Sequence, residues 1–354
     1  MAKTKKKVVM AMSGGVDSSV AASLLIEKGY EVSGVSLRMW DGGRNDERVC
    51  SNYEGAKEVA SLLGIPYSLL DLRALFLESV VKPFALSYLS GKTPNPCVSC
   101  NRDFKLGFLL DWARKQQAEH VATGHYARIV QDAACGRYSL LRGRDRDKDQ
   151  SYFLFGLSQE QLAHTLFPLG EWRKGEVRKR ARELGLPVAE RPESQDICFG
   201  DHRSLVESYA GRGQSLEGEI VDRWGKSLGS HSGIHRFTVG QRKGLGVSAS
   251  HPLYVLGIEE KSKQVIVGKR EDLGCAGHLT HSVNWFEPPE QDQIVAEVQV
   301  RYRSAPIPCQ VRPLGERRSE VRFQGVCAPV SPGQAAVFYR GEKVLGGGWI
   351  ESAL

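Results

Sequence analysis

The feature that most limits what this chain can become lies near its start: Ser13-Gly14-Gly15-Val16-Asp17-Ser18-Ser19. An apolar run, Val8 to Met12, precedes it. Val20, Ala21, Leu24 and Leu25 follow at helical spacing, and Gly29 is placed to end that helix. Short buried strand, glycine turn, helix: this order belongs to a parallel sheet, in which a helix carries the chain back to pair with its neighbour. Adjacent glycines let backbone N–H groups approach an anion closely, and the helix N-terminus adds partial positive charge. Ser13, Ser18 and Ser19 bring hydroxyl donors, and Asp17 suits a Mg2+ ion. Without Gly-Lys-Ser/Thr, this is not a Walker A loop.

The β-α alternation continues. Val35, Leu37 and Met39 alternate as a strand, and Ala56, Val59, Ala60 and Leu63 form a helical stripe stopped by Gly64. Tyr67 to Leu72 is strand-like, and His120 to Ala127 is expected as a strand after a helix over about Phe104 to Gln116. In such sheets ligands bind at the carboxyl ends of the strands, where the Ser13 loop falls. After about residue 205 helical stripes give way to glycine turns and short strands. Tyr254 to Ile258 and Val265 to Gly268 read as a hairpin, Ile294 to Arg303 as a long strand, and the region from 275 onward as a small β-barrel. The fold class is therefore α/β, with expected domains at residues 1–205, 206–274 (a central linking domain) and 275–354. The run Arg173 to Arg182 reads as a solvated helix face.

A net charge of +7 favours a polyanionic partner. No apolar run approaches the roughly 20 residues of a membrane helix. The basic start lacks the length and cleavage site of a secretory signal, so a cytoplasmic chain with no membrane partner is expected. In that setting the eight cysteines need no disulfide scaffold. Cys50, Cys135, Cys275, Cys309 and Cys327 read as incidental. Cys97 and Cys100 differ, because Cys-x-x-Cys spacing recurs in redox and metal sites. They lie in Thr93-Pro94-Asn95-Pro96-Cys97-Val98-Ser99-Cys100-Asn101, where two prolines stiffen a loop and Cys100 is expected just before a helix, whose N-terminus would favour thiolate.

Ser13 to Ser19 resembles the PP-loop of ATP pyrophosphatases, which cleave between the α and β phosphates and leave AMP on the substrate. Five further segments narrow the resemblance. They are the Thr93–Asn101 stretch, Gly124-His125-Tyr126, Lys148-Asp149-Gln150-Ser151-Tyr152-Phe153, Ser194-Gln195-Asp196-Ile197-Cys198-Phe199, and Gly240-Gln241-Arg242-Lys243-Gly244-Leu245-Gly246. With these, in order, the chain resembles the tRNA-specific 2-thiouridylases over nearly its whole length.

The resemblance implies an adenine nucleotide alpha hydrolase-like first domain and a tRNA-contacting barrel. ATP, with Mg2+, would be held by Ala11, Met12, Ser13, Gly14, Gly15, Val16, Asp17, Ser18, Met39 and Gly124. The target base would lie against Asn95, Pro96 and Cys97, and tRNA against Lys148, Asp149, Gln150, Arg301 and Tyr302. His125 and Gln334 would support activity. Cys198 would carry a persulfide, and Cys100 would be the nucleophile that closes a disulfide with it. The implied reaction adenylates the carbon-2 oxygen of the wobble uridine, position 34, in tRNAs for Lys, Glu and Gln. Sulfur then enters to give 2-thiouridine, AMP and pyrophosphate. A cysteine desulfurase or sulfur-relay protein would supply the sulfur, and a monomer is expected.

Bare chemistry asks for the same parts. An oxide leaves carbon badly and AMP leaves it well, and a persulfide delivers sulfur without free sulfide. The chain departs from the family at Cys97, where many members have Asp as a proposed acid or base. A thiol, with pKa near 8.5, is a poorer one. Cys97, Cys100 and Cys198 also suit an iron–sulfur cluster with one open iron, the alternative to persulfide chemistry without a cluster. The rival enzyme is a PP-loop amide-forming ligase acting on a small molecule, which would have no use for paired cysteines or an RNA-facing barrel. A non-catalytic tRNA-binding protein with a relic loop would not need intact Ser13, Gly14, Gly15, Asp17 and Ser18.

Overall fold

The computed structural model describes residues 5–40, 47–192, 198–199, 202–211, 216–325 and 327–354. The segment Ser194 to Ile197 and the Cys50 side chain lie outside the described residues. The chain divides into two compact units: 1–78, 97–200 and 342–345 in the first, and 79–96, 201–341 and 346–354 in the second.

The first unit is built on a five-stranded sheet ordered Tyr67–Asp71, Glu31–Arg38, Lys7–Ala11, His120–Ala122, Thr165–Leu166. Every pairing in it is parallel. Lys7–Ala11 is central, with Val8, Val9 and Met10 buried between helical layers. Its neighbours are the next strand of the chain on one side and a much later strand on the other. It therefore marks the switch point, where a crevice opens at the carboxyl ends. The helix Val16–Glu27 leaves from that point, and nine of its residues are buried, Val16, Val20, Leu24 and Leu25 among them. The helix Lys174–Glu183 packs beside it, with Val177 and Ala181 in the same core. The expected solvated face is thus corrected: this helix is amphipathic, and Lys174 itself is buried.

Two further expectations change. The strand foreseen as His120 to Ala127 is two strands, His120–Ala122 and Ala127–Gln131, interrupted at Thr123-Gly124-His125. Cys100 does not precede a helix. Helical winding already begins at Pro96, whose fixed φ suits a first helical position. It continues through a π-helical stretch, Cys100–Phe108, to Leu109–Lys115. Both cysteines therefore stand within the helical run.

In the second unit, the strands Tyr254–Glu259, Gln264–Gly268, Gly218–Asp222 and Ser227–His231 form a four-stranded sheet. The first two make the expected antiparallel hairpin. Ile220, Phe237, Val255, Val265 and Val267 form its core. The barrel is closed. Gly277–Trp285, Arg318–Phe323, Ile307–Gly315, Ile294–Gln299 and Ala335–Arg340 follow one another, and the last strand, Lys343–Ala353, pairs back onto the first. The strand expected to run to Arg303 stops at Gln299. Arg301-Tyr302-Arg303 forms a turn beyond it, with Arg303 in the left-handed conformation, φ 63°. No helix among the described residues is long and apolar enough to cross a membrane.

Candidate functional site

At the switch point the Ser13 loop folds on itself. The Ser13 N–H donates to Ser18 Oγ (3.2 Å). The hydroxyls of Ser18 and Ser19 donate to the Gly15 carbonyl at 3.1 and 3.0 Å. Carbonyls thus turn inward, and the N–H groups of Gly14, Gly15, Val16 and Asp17 find no acceptor among the described residues. Gly15 caps the helix without a side chain, so the first turn presents bare donors of the kind an anion occupies. Gly14 takes φ 73°, and a Cβ there would fall 2.0 Å from the Asn52 carbonyl oxygen. The φ disfavours other residues, and the clash excludes them. Met12 is held from the next strand, its N–H donating to Val35 O and its carbonyl accepting from the Ser36 hydroxyl.

Three contacts at this loop were not foreseen from sequence. Lys174 Nζ donates to both carboxylate oxygens of Asp17, each at 2.7 Å. The Tyr126 hydroxyl donates to Asp17 Oδ1 at 2.7 Å. Arg191 Nη1 donates to the Gly14 carbonyl at 3.0 Å. Lys174 and Arg191 are far downstream in a basic stretch, so composition alone could not separate them from surface charge. Gly124 packs directly on the helix start, where a Cβ would lie 2.8 Å from Ser18 N and 3.0 Å from the Asp17 carbonyl carbon.

The segment Lys148-Asp149-Gln150 is folded onto the same framework. Asp149 is buried, and its carboxylate accepts from Arg142 Nη1, Gly143 N–H, and the Ser151 N–H and hydroxyl, at 2.9–3.1 Å. Gln150 exchanges two hydrogen bonds with the Tyr126 backbone. Asp149 is therefore an internal tie of this loop, and Lys148 is half-buried.

The sulfur-bearing residues of the first unit meet through aromatic packing. Phe199, next to Cys198, is buried and stands edge-on to Phe76 (6.0 Å) and Trp40 (6.3 Å). Phe76 in turn stands edge-on to Phe104, on the helix of Cys100, at 5.6 Å. Through this chain Cys198 comes within electrostatic range of Cys100 and Cys97. All three are thiols, with no disulfide between them. The Cys100 thiol lies 3.9 Å from the sulfur of Met39, which brings the end of the second strand to the sulfur centre.

Burial pushes the Cys100 thiol up to about 11, and it raises Cys97 and Cys198 as well. Lys105 opposes this at each of the three. A helix N-terminus, the expected source of thiolate stabilisation, is not what faces Cys100. Cys198 is exposed to solvent although protein crowds it. Among the described residues no three His, Cys, Asp or Glu side chains are arranged to hold a metal ion. His125 is buried, with Nδ1 2.7 Å from the Thr123 hydroxyl. Burial, then the Lys105 charge, push its pKa down to about 3. It is a neutral hydrogen-bonding ring at physiological pH.

In the second unit, Gln334 Nε2 donates to the Thr93 carbonyl at 2.9 Å, and the Thr93 N–H donates to the Pro332 carbonyl at 2.8 Å. Gly333 takes φ 87°, and a Cβ there would press on Lys92 and Thr93 at 3.0–3.3 Å. The Ser331–Gln334 turn therefore clamps the chain just before Asn95 and Pro96. Arg301 is exposed, and the Arg303 guanidinium lies 5.3 Å from the Tyr302 ring.

Fold and loop together define an ATP-using α/β enzyme of the PP-loop kind. A family profile described as "tRNA methyl transferase HUP domain" matches residues 6–202. A "PRC-barrel domain" profile of the same name matches 207–269, and an "Aminomethyltransferase beta-barrel domain" profile matches 276–350. Full-length relatives are named tRNA-specific 2-thiouridylase MnmA. The protein from Geotalea uraniireducens is 50% identical over 99% of this chain and 96% of its own length. That from Syntrophotalea carbinolica is 50% identical over 99% and 100%. The chain belongs to the tRNA-specific 2-thiouridylase family. A solved structure, the U34-tRNA thiolase NcsA from Methanococcus maripaludis with its [4Fe-4S] cluster, aligns with 58% of this chain and 65% of that one, at 19% identity and TM-score 0.37.

Proposed function

We propose that this chain is a tRNA-uridine 2-sulfurtransferase acting in the cytoplasm on the wobble uridine, position 34, of tRNAs for Lys, Glu and Gln. The observation that carries the reading is that Cys198 and Cys100, distant in sequence, share one electrostatic neighbourhood in the unit that also holds the nucleotide loop. ATP phosphates bind the bare N–H groups of Gly14 to Asp17. A Mg2+ ion there would neutralise phosphate charge, and Asp17 would hold it only by exchanging the Lys174 ammonium that now engages both its oxygens. Met39 and Gly124 line the nucleotide. The uridine lies against Asn95, Pro96 and Cys97. Lys148, Gln150, Arg301 and Tyr302 contact the tRNA.

Carbon-2 oxygen of the uridine attacks the α phosphate, pyrophosphate leaves, and the oxygen carries AMP. The terminal sulfur of a Cys198 persulfide, loaded by a cysteine desulfurase or relay protein, bonds to carbon 2 as the bond to AMP breaks. Cys100 thiolate then attacks Cys198 Sγ. The sulfur–sulfur bond breaks, its electron pair leaves with thiouridine, and a Cys100–Cys198 disulfide remains for a thiol reductant to open. Nothing in this sequence requires a second subunit.

The test is anaerobic thiolation of unmodified tRNA for Glu with ATP, cysteine and a cysteine desulfurase, with iron measured on the same protein. Iron-free protein is expected to form thiouridine, and Cys198→Ser to form none. Thiouridine made only by iron-loaded protein would transfer Cys97, Cys100 and Cys198 to cluster ligation. Substantial thiolation by Cys198→Ser would sink the persulfide assignment.

A further inference from the structure

Lys105 is unassigned by the motifs above, and it stands where the sulfur chemistry happens. In an α-helix it would point about 140° around the axis from Cys100, five residues earlier. The stretch Cys100–Phe108 is instead wound as a π-helix. Its i→i+5 hydrogen bonds widen the turn, so that position five joins the face of position zero. Phe104 remains free to pack on Phe76 and so to hold Phe199 and Cys198 close. Lys105 is half-buried, and no carboxylate acts on it among the described residues. The charges that do are the thiols of Cys100, Cys97 and Cys198. A lysine with no carboxylate partner among the described residues, and within electrostatic range of three sulfurs, has an anion still to receive.

We propose that Lys105 is the positioning residue for sulfur transfer: its ammonium holds first the negative charge of the Cys198 persulfide and then that of the Cys100 sulfur. This rests on the assignment of those two cysteines above. Two sulfur anions form in succession: the Cys198 persulfide, whose charge leaves with AMP, and the Cys100 thiolate, which forms by losing its proton to water. A fixed cation within range of both stabilises each in turn without reorganising. Lys105 also adds to the burial that depresses the pKa of His125, and together they keep that ring from competing as a second cation at the centre.

The experiment uses the full chain without tRNA. Iodoacetamide alkylation of Cys198 is followed by peptide mass spectrometry from pH 6 to pH 10.5 in wild type, Lys105→Met and Lys105→Arg, with thermal unfolding confirming the fold of each. Lys105→Met is expected to move the rise in rate to higher pH by about one unit, so that the rate near pH 8 falls about tenfold. Lys105→Arg should restore most of it. Should Lys105→Met fail to fold, Lys105→Gln serves the same comparison. A profile left unmoved by loss of the charge, or not restored by Arg, overturns the proposal. Failure of the underlying assignment looks different: Cys198→Ser would still thiolate tRNA, while the alkylation profiles kept their dependence on Lys105.

Discussion

The pair formed by Asp17 and Lys174 is where the structure makes its sharpest energetic claim. Two contacts of 2.7 Å join them, and their side chains are 32% and 11% exposed. Exposed ion pairs contribute roughly 0–1 kcal/mol, whereas hydrogen bonds to charged groups contribute roughly 1.5–3 kcal/mol. With the lysine enclosed and the carboxylate a third open, the lower half of the second range applies, about 2 kcal/mol. The perturbation is a double-mutant cycle of Asp17→Asn, Lys174→Met and the double variant, read as urea unfolding without nucleotide. Lys174→Met should be the worst of the three, because among the described residues it leaves the carboxylate with the Tyr126 hydroxyl as its close donor. The double variant should recover much of the loss. Coupling under about 0.5 kcal/mol, the level of a surface pair, would refute the claim that this lysine fixes the first turn of the nucleotide-binding helix.

Two further outcomes are expected. His125 is held neutral when folded, with its pKa pushed down to about 3, while the unfolded chain titrates near 6.5. Its contribution to stability is therefore complete above about pH 6.5 and is lost as pH falls toward 3. His125→Asn should make the acid limb of a urea-midpoint profile shallower by its own share. The rest is owed to His278, which burial pushes down to about 4, to His120, His231 and His281, which burial also lowers, and to carboxylates held low by arginines. An unchanged acid limb would mean that His125 is not enclosed. Gln334→Ala removes the hydrogen bond to the Thr93 carbonyl. Thiolation should fall from a few-fold to about tenfold, as a neutral hydrogen bond of roughly 0.5–1.5 kcal/mol allows. ATP affinity, measured by calorimetry, should not change. Loss of ATP affinity would refute a role confined to the Thr93–Pro96 segment.

The nucleotide loop was legible because its chemistry is local. Strand, glycines and helix are consecutive, and Gly14 with φ 73° is a demand the sequence meets on the spot. The alternation of the barrel strands was legible for the same reason. What could not be read are partners supplied from far away. Lys174 looks like any residue of a basic helix until the fold sets it 157 positions back against Asp17. Asp149 looks like an RNA contact until four donors converge on it. The π-helical turn was invisible for another reason. Periodicity in apolar residues locates a helix but does not resolve its pitch over nine residues, so the face on which Lys105 falls was undetermined. The left-handed Arg303 in the turn after the strand Ile294–Gln299 is equally silent, since arginine carries no preference for that conformation.

On the assignment proposed above the pitch matters, because the two cysteines then face opposite demands. Cys198 must meet a sulfur donor and is exposed. Cys100 must stay silent until sulfur has left Cys198. Attacking earlier would release the sulfur and close the disulfide with nothing thiolated. Burial answers that demand, since a thiol pushed up to about 11 is protonated at neutral pH and is a poor nucleophile. The same burial would leave Cys100 inert when its turn comes, unless something favours the anion at that moment. A permanent cation in its plain sight would activate it too soon, and no cation would leave it dead. Lys105 resolves the conflict by being shared. While the Cys198 persulfide is anionic, its charge offsets that of the lysine at Cys100, which remains a thiol. Once that sulfur is bonded to carbon 2 and the charge has left with AMP, the lysine acts on Cys100 unopposed, and the Cys100 proton passes to water. The order of the two steps then follows from one ammonium among three sulfurs, with no moving part required.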